Sequence, residues 1–134
     1  MGFKLDHIGV AVQDMKAAVD DFETKLGMKC DRIEDVPDEK AQVAFFDLGG
    51  SHLELITPLM QESPLARSLA QRGEGLHHIC LEVEDIEKTV KALRAAGLRT
   101  VTETPNIGAG GNKIIFVHPK AMQGVLIELV EKSK

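Results

Sequence analysis

One pattern occurs twice in this chain. Leu5-Asp6-His7-Ile8-Gly9-Val10-Ala11-Val12-Gln13-Asp14-Met15 returns as Leu76-His77-His78-Ile79-Cys80-Leu81-Glu82-Val83-Glu84-Asp85-Ile86. Leu, His, Ile, Val and Asp recur at an offset of 71 residues, and Val19 then matches Val90. The halves end alike too, Leu53-Glu54-Leu55-Ile56 against Ile127-Glu128-Leu129-Val130, now at an offset of 74. An internal repeat constrains architecture more tightly than local propensity does, because each copy is one folding unit. This repeat also duplicates chemistry: a His near the start of each half and a Glu near its end.

The element order follows from the pattern. Phe3 to Val12 is β-rich and reads as a strand. Asp14 caps a helix in which Ala17, Ala18, Phe22 and Leu26 recur at helical spacing, and Gly27 stops it. Met28 to Val36 is a second strand, ended by Pro37. Ala41 to Leu48 is a third, turned by Gly49-Gly50, and Ser51 to Thr57 a fourth, stopped by Pro58. Ser63 before Pro64 opens a short linking helix that Gly73 and Gly75 close. The second half repeats the order. Leu76 to Val83 is a strand, and Asp85 caps a helix with an Ile86, Val90, Leu93 stripe that ends at Gly97. Leu98 to Glu103, Lys113 to His118 and Gly124 to Val130 are strands. Asn106 to Asn112 is a Gly-rich loop and Pro119 to Gln123 a turn.

With 134 residues the chain has the length of one domain with its own core. The expectation is an α+β fold, residues 1–134 as a single domain of two tandem βαβββ modules. Module one spans 3–58, a linker helix 62–73, and module two 75–131. Four strands and one helix cannot bury both faces of a sheet. Setting the modules side by side with helices outside is expected to leave a concave, partly open eight-stranded sheet as a cleft.

Composition narrows the partners. A formal net charge of -5 without a basic run argues against nucleic acid. No apolar stretch approaches the ~20 residues of a membrane span. The N-terminus shows neither signal nor transit pattern, so a cytoplasmic location is expected. Cys30 and Cys80 make no disulfide framework and are expected to be reduced. Cys80 lies two residues after His78 on the same side of its strand, where it reads as a small buried apolar residue.

His7, Glu54, His78 and Glu128 are the central candidates. Period-two alternation sets Glu54 opposite Leu53 and Leu55, and Glu128 opposite Ile127 and Leu129. A carboxylate among Leu and Ile is costly to bury without a partner. Either that face is solvated or the carboxylate has a partner such as a metal ion, and four donors related by a repeat favour the metal. Imidazole and carboxylate suit a divalent transition metal. His77 and His78 point to opposite faces, and the repeat matches His78 with His7, which makes His77 a supporting residue. His52 shares a face with Glu54 and is a weaker ligand candidate. His118, at a strand end before Pro119, reads as structural or substrate-facing. Gly110 and Gly111 let backbone approach a ligand closely. Lys113 and Lys120 flank the same region and could meet an anion.

The stretches L-D-H-I-G-V-A-V (5–12) and G-L-H-H-I-C-L-E-V (75–83) resemble the vicinal oxygen chelate, glyoxalase-like superfamily. Within it, N-I-G-A-G-G-N-K-I-I-F-V-H-P-K-A-M-Q-G-V-L-I-E-L (106–129), L-G-G-S-H-L-E-L-I-T-P-L (48–59) and S-P-L-A (63–66) are similar to the methylmalonyl-CoA epimerases. The resemblance implies metal ligation by His7, Glu54, His78 and Glu128, with Gln replacing Glu54 in some members. It implies Glu128 as catalytic base; the opposite proton donor is open between Glu54, a metal-bound water and a water positioned by Gln42. It also implies an acyl-CoA substrate, a homodimer and a place in propionate metabolism. The expected metal is cobalt, with zinc, manganese or nickel as alternatives. Some members carry a further glutamate on the third strand; here Ala41-Gln42-Val43-Ala44 has no carboxylate. Gln42, Gly110, Gly111, Lys113, His118 and Lys120 are the substrate-binding candidates. Rival readings are a glyoxalase I-type lyase on the same four positions, an extradiol dioxygenase, and a metal-free sequestering protein.

Overall fold

In the computed structural model, which describes residues 2–133, the repeat returns element by element. The first copy runs β1 (Lys4–Ala11), α1 (Met15–Leu26), β2 (Cys30–Val36), β3 (Ala41–Asp47) and β4 (His52–Pro58). The helix α2 (Pro64–Arg72) follows. The second copy is β5 (Gly75–Glu82), α3 (Ile86–Ala95), β6 (Asn106–Ile107), β7 (Lys113–Val117) and β8 (Ile127–Glu131). The fold is α+β, two tandem βαβββ modules. Contacts gather the chain into two compact units, His7–His77 and the described part of Met1–Asp6 with His78–Lys134. No helix among the described residues is long and apolar enough to cross a membrane.

The helices start where the repeat places its aspartates. Asp14 accepts a hydrogen bond from the Ala17 N–H at 3.1 Å, and Asp85 accepts one from Lys88 at 3.0 Å. Each carboxylate satisfies one of the donors that a helix leaves unpaired in its first turn. Ser63 does the same for α2, with Pro64 at the first helical position. Gly27 closes α1 at φ 71°, a conformation that other residues adopt at a cost.

Within each module the first and last strands pair in parallel and the other strands are antiparallel. In the first, the order is β2-β3-β4-β1, with His7 opposite His52 and Gly9 opposite Glu54. In the second it is β6-β7-β8-β5, with Cys80 opposite Glu128. One face of each sheet is covered by its module's helix. Val12, Met15, Ala44, Phe46 and Leu55 pack with Ala18, Val19 and Phe22 of α1. Val83, Ile86, Val90, Ile115, Val117 and Leu129 form the matching cluster, with Leu93 against it. The Ile86, Val90, Leu93 stripe is therefore the buried one. The α1 stripe differs from expectation: Ala17 and Leu26 are exposed, and Met15, Ala18, Val19 and Phe22 face the sheet. Ala18 and Phe22 belong to both stripes, and Met15 and Val19 take the places expected of Ala17 and Leu26.

Three edges of the second module also depart from expectation. Leu98 to Glu103 is not a strand; only a single bridge, Thr100 to Val117, ties it to β7. The threonines take its carbonyls: Thr100 Oγ1 donates to Thr102 O at 2.7 Å and Thr102 Oγ1 to Thr104 O at 2.9 Å. Arg94 reaches over from α3 to Thr100 Oγ1 and the Glu103 carbonyl. Side chains that bond nearby backbone compete with a ladder, which is what happens here. The short β6 falls instead inside the expected Gly-rich loop, followed by a 3₁₀ turn over Ala109–Gly111. The last strand begins at Ile127 rather than Gly124, because Gln123 and Gly124 both sit at positive φ.

Candidate active site

The register of the parallel pairs brings each His to its Glu. Residues two apart on a strand share a face, and directly opposed residues on neighbouring strands share one as well. Gly9 shares a face with His7 and stands opposite Glu54, so His7 and Glu54 leave the same face of the first module. Cys80 relates His78 to Glu128 in the same way. In both cases the residue between the pair is small. His7 Nδ1 lies 3.2 Å from Glu54 Oε2, and His78 Nε2 lies 3.1 Å from Glu128 Oε1.

Both pairs are buried on the face away from the helix. Exposure is 5% for His7, 6% for Glu54, 7% for His78 and 4% for Glu128, which excludes the solvated-surface reading of these residues. Around Glu54 that face carries buried Val43, Phe45 and Ile56. Around Glu128 it carries Cys80, Ile114 and Val130, packed with Phe116. The Phe116 ring meets His78 edge-on at 5.7 Å. A protein interior holds such polar side chains only when their atoms are hydrogen-bonded, ion-paired or bound to a metal.

His52 belongs to this site more closely than its sequence position suggested. Its Nε2 is 2.8 Å from Glu54 Oε2, and its ring lies 4.9 Å from the His7 ring. His7, His52 and Glu54 offer donor atoms that all lie within 4.8 Å of one another. The signal in the sequence was the i, i+2 spacing of His52 and Glu54. The β1–β4 register, which sets His52 directly opposite His7, was not legible there.

The remaining candidates separate by face. Gln42 shares its side of β3 with Ala44 and Phe46, the face under α1, and donates to Asp35 Oδ1 at 3.1 Å. Lys113 shares its side of β7 with Ile115 and Val117 and reaches Glu87 of α3 at 3.5 Å. Neither lies on the face that bears the His–Glu pairs, because one step along a strand reverses the face. His118 follows β7 in phase with Phe116 and Ile114, and its Nδ1 accepts from the Lys120 N–H at 3.3 Å. Lys120 is exposed in that turn. Gly110 and Gly111 occupy the 3₁₀ turn at φ 70° and 77°. At the neighbouring Gly108 a Cβ would lie 3.0 Å from Ile114 Cγ2, so a side chain there would need Ile114 to shift.

The cysteines are free thiols. Cys80 is fully buried among Ile114 and Val130, as the apolar reading expects. Burial and, after it, the Glu23 carboxylate push the Cys30 thiol up, which keeps it protonated and a weak nucleophile at neutral pH.

The sequence pattern of the Glyoxalase/Bleomycin resistance protein/Dioxygenase superfamily matches residues 6–116. The mitochondrial methylmalonyl-CoA epimerase of Homo sapiens is 37% identical over 127 residues, 94% of this chain and 72% of that one. The ethylmalonyl-CoA/methylmalonyl-CoA epimerase of Cereibacter sphaeroides is 39% identical, covering 94% of this chain and 96% of its own length. Among solved structures, a variant of Streptomyces coelicolor methylmalonyl-CoA epimerase in complex with 2-nitronate-propionyl-CoA superposes with a TM-score of 0.93. It is 31% identical and covers 98% of both chains. A putative lactoylglutathione lyase of Brassica oleracea is more distant, 29% identical with only 44% of its length covered. The repeated His–Glu registers, the tandem βαβββ modules and these likenesses agree: the chain belongs to the glyoxalase, bleomycin resistance and dioxygenase superfamily, within the family of the methylmalonyl-CoA epimerases.

Proposed function

We infer that this chain is an epimerase that interconverts (2R)- and (2S)-methylmalonyl-CoA, with His7, Glu54, His78 and Glu128 holding a divalent metal ion. The observation that carries the reading is the matched register that buries one His–Glu pair in each module. The donor chemistry fits: two imidazoles and two carboxylates on otherwise apolar faces suit cobalt first, and zinc, manganese or nickel as alternatives. When bound, the ion supplies positive charge for the oxygen of an enolate.

The reaction needs little else from the chain. The Glu128 carboxylate takes the proton from C2, the C2–H bond breaks, and its electron pair moves into the thioester carbonyl to give the enolate. A water on the opposite face gives a proton to C2 as the enolate returns to the thioester, and the hydroxide left behind takes the proton from Glu128, which gives the other epimer and restores the base. The apolar lining at Ile114, Phe116 and Val130 strengthens electrostatic interactions around the carboxylate by keeping water away from it. Gly110, Gly111, His118 and Lys120 remain the candidates for contact with the acyl-CoA. Gln42 and Lys113, on the opposite faces, leave that set. Homodimer formation, a cytoplasmic location and a role in propionate metabolism belong to the same reading and rest on the family alone.

A coupled assay that consumes only one epimer of methylmalonyl-CoA tests the activity, and elemental analysis of the purified chain tests the metal. The expected outcome is turnover of the other epimer, supported by added Co2+, with no action on the hemithioacetal of methylglyoxal and glutathione. Turnover of the hemithioacetal alone would make the chain a lyase. Binding of small molecules with neither metal nor turnover would make it a sequestering protein.

A further inference from the structure

Glu54 is held from two sides. His7 Nδ1 and His52 Nε2 both approach its Oε2, at 3.2 and 2.8 Å. An ionised carboxylate only accepts hydrogen bonds, so the second contact calls for the Nε2–H tautomer of His52. The His52 ring is fixed in turn. It lies against the His7 ring and, 5.6 Å away, against Phe45, whose other neighbour is the Arg32 guanidinium at 3.8 Å from the ring centroid. The register enforces the arrangement: His52 stands opposite His7, and Phe45 stands opposite both Glu54 and Arg32. At the offset that relates Glu54 to Glu128, the repeat sets Leu126 where His52 stands, and a leucine side chain cannot hydrogen-bond.

We propose that His52 is a positioning residue, whose Nε2–H fixes the Glu54 carboxylate beside His7 and commits it to holding the metal rather than to moving a proton. The proposal rests on the metal reading above and deepens it. A glutamate side chain has several rotamers, and ligation must select one of them. A hydrogen bond already made in the folded chain selects it in advance. Groups that orient metal ligands in this way are typically worth about 10–100-fold in affinity.

The test titrates Co2+ alone into the full chain and follows the visible absorption of the bound ion, with circular dichroism as the check on folding. Four proteins are compared: wild type, His52→Leu, His52→Asn and His52→Gln. Leu has no donor, Asn is too short to reach Glu54, and the Gln amide comes near the place of Nε2. His52→Leu and His52→Asn are expected to bind Co2+ about 10–100-fold more weakly, with an altered absorption band. His52→Gln is expected to recover most of the loss. Wild-type affinity and absorption in folded His52→Leu or His52→Asn overturns the role of His52. So does a folded His52→Gln as weak as the other two. Failure of the wild-type chain to bind Co2+ overturns the metal reading itself, and the proposal with it.

Discussion

The two modules share a strand order and a His–Glu register, yet they surround their carboxylates differently. In the first, the Glu54 carboxylate lies between two imidazoles, with Phe45 and Arg32 stacked behind His52. In the second, Glu128 faces His78 within a patch of Cys80, Ile114, Phe116 and Val130. The repeat supplies two equivalent positions, and the reading proposed above gives them different tasks. The contact from His52 Nε2 suits a carboxylate that holds an ion in a fixed place. On the proposed reading Glu128 is the carboxylate that gains and loses a proton near a carbon acid.

The largest difference between the modules is expected when each carboxylate is neutralised in turn. Glu128→Gln is expected to slow epimerisation by about 10²–10⁴-fold, the usual contribution of a general base. Glu54→Gln keeps an oxygen donor and is expected to lose less, with the larger part of its effect on metal affinity. Equal losses in a steady-state assay at saturating Co2+ would erase the distinction between the two residues.

The cores offer a control in which the modules should behave alike. Leu55 and Leu129 are both buried under their module's helix, at 0% and 2% exposure. Leu55→Ala and Leu129→Ala are each expected to destabilise the chain by about 2–5 kcal/mol, read from urea unfolding. The caps form a smaller matched pair. Asp14→Ala and Asp85→Ala each remove one hydrogen bond at a helix start and should each cost about 1 kcal/mol in thermal or urea unfolding.

The smallest effects are expected on the faces that carry no His–Glu pair. Gln42→Ala and Lys113→Ala remove the contacts to Asp35 and Glu87, both solvent-exposed, and should change stability by no more than about 0.5–1 kcal/mol. Turnover should stay close to that of wild type. A large loss of turnover in either variant would mean that these faces matter to the reaction.

These contrasts also show what a sequence can disclose. The repeat alone gave the module order, both aspartate caps and the pairing of His7 with His78 and Glu54 with Glu128, because it records which positions two copies have kept. It also separated His78 from His77. Faces were harder. Gln42 stands on the strand where some relatives carry a glutamate and Lys113 beside the Gly-rich loop, yet one residue of strand phase turns each away from its module's His–Glu pair. His52 entered the site through a parallel register between β1 and β4, which no local pattern announces. The edge before β6 was lost because Thr100 and Thr102 spend their hydroxyls on nearby carbonyls, although threonine is ordinarily a good strand residue.

One experiment bears on both the epimerisation and its dependence on a metal. The chain is incubated with a single epimer of methylmalonyl-CoA in deuterated water, before and after treatment with a chelator, and the C2 position is followed by NMR. Metal-dependent epimerisation predicts that deuterium enters at C2 as the second epimer forms, that chelation suppresses both, and that Co2+ restores them. No exchange at C2, or exchange that chelation leaves untouched, would contradict it.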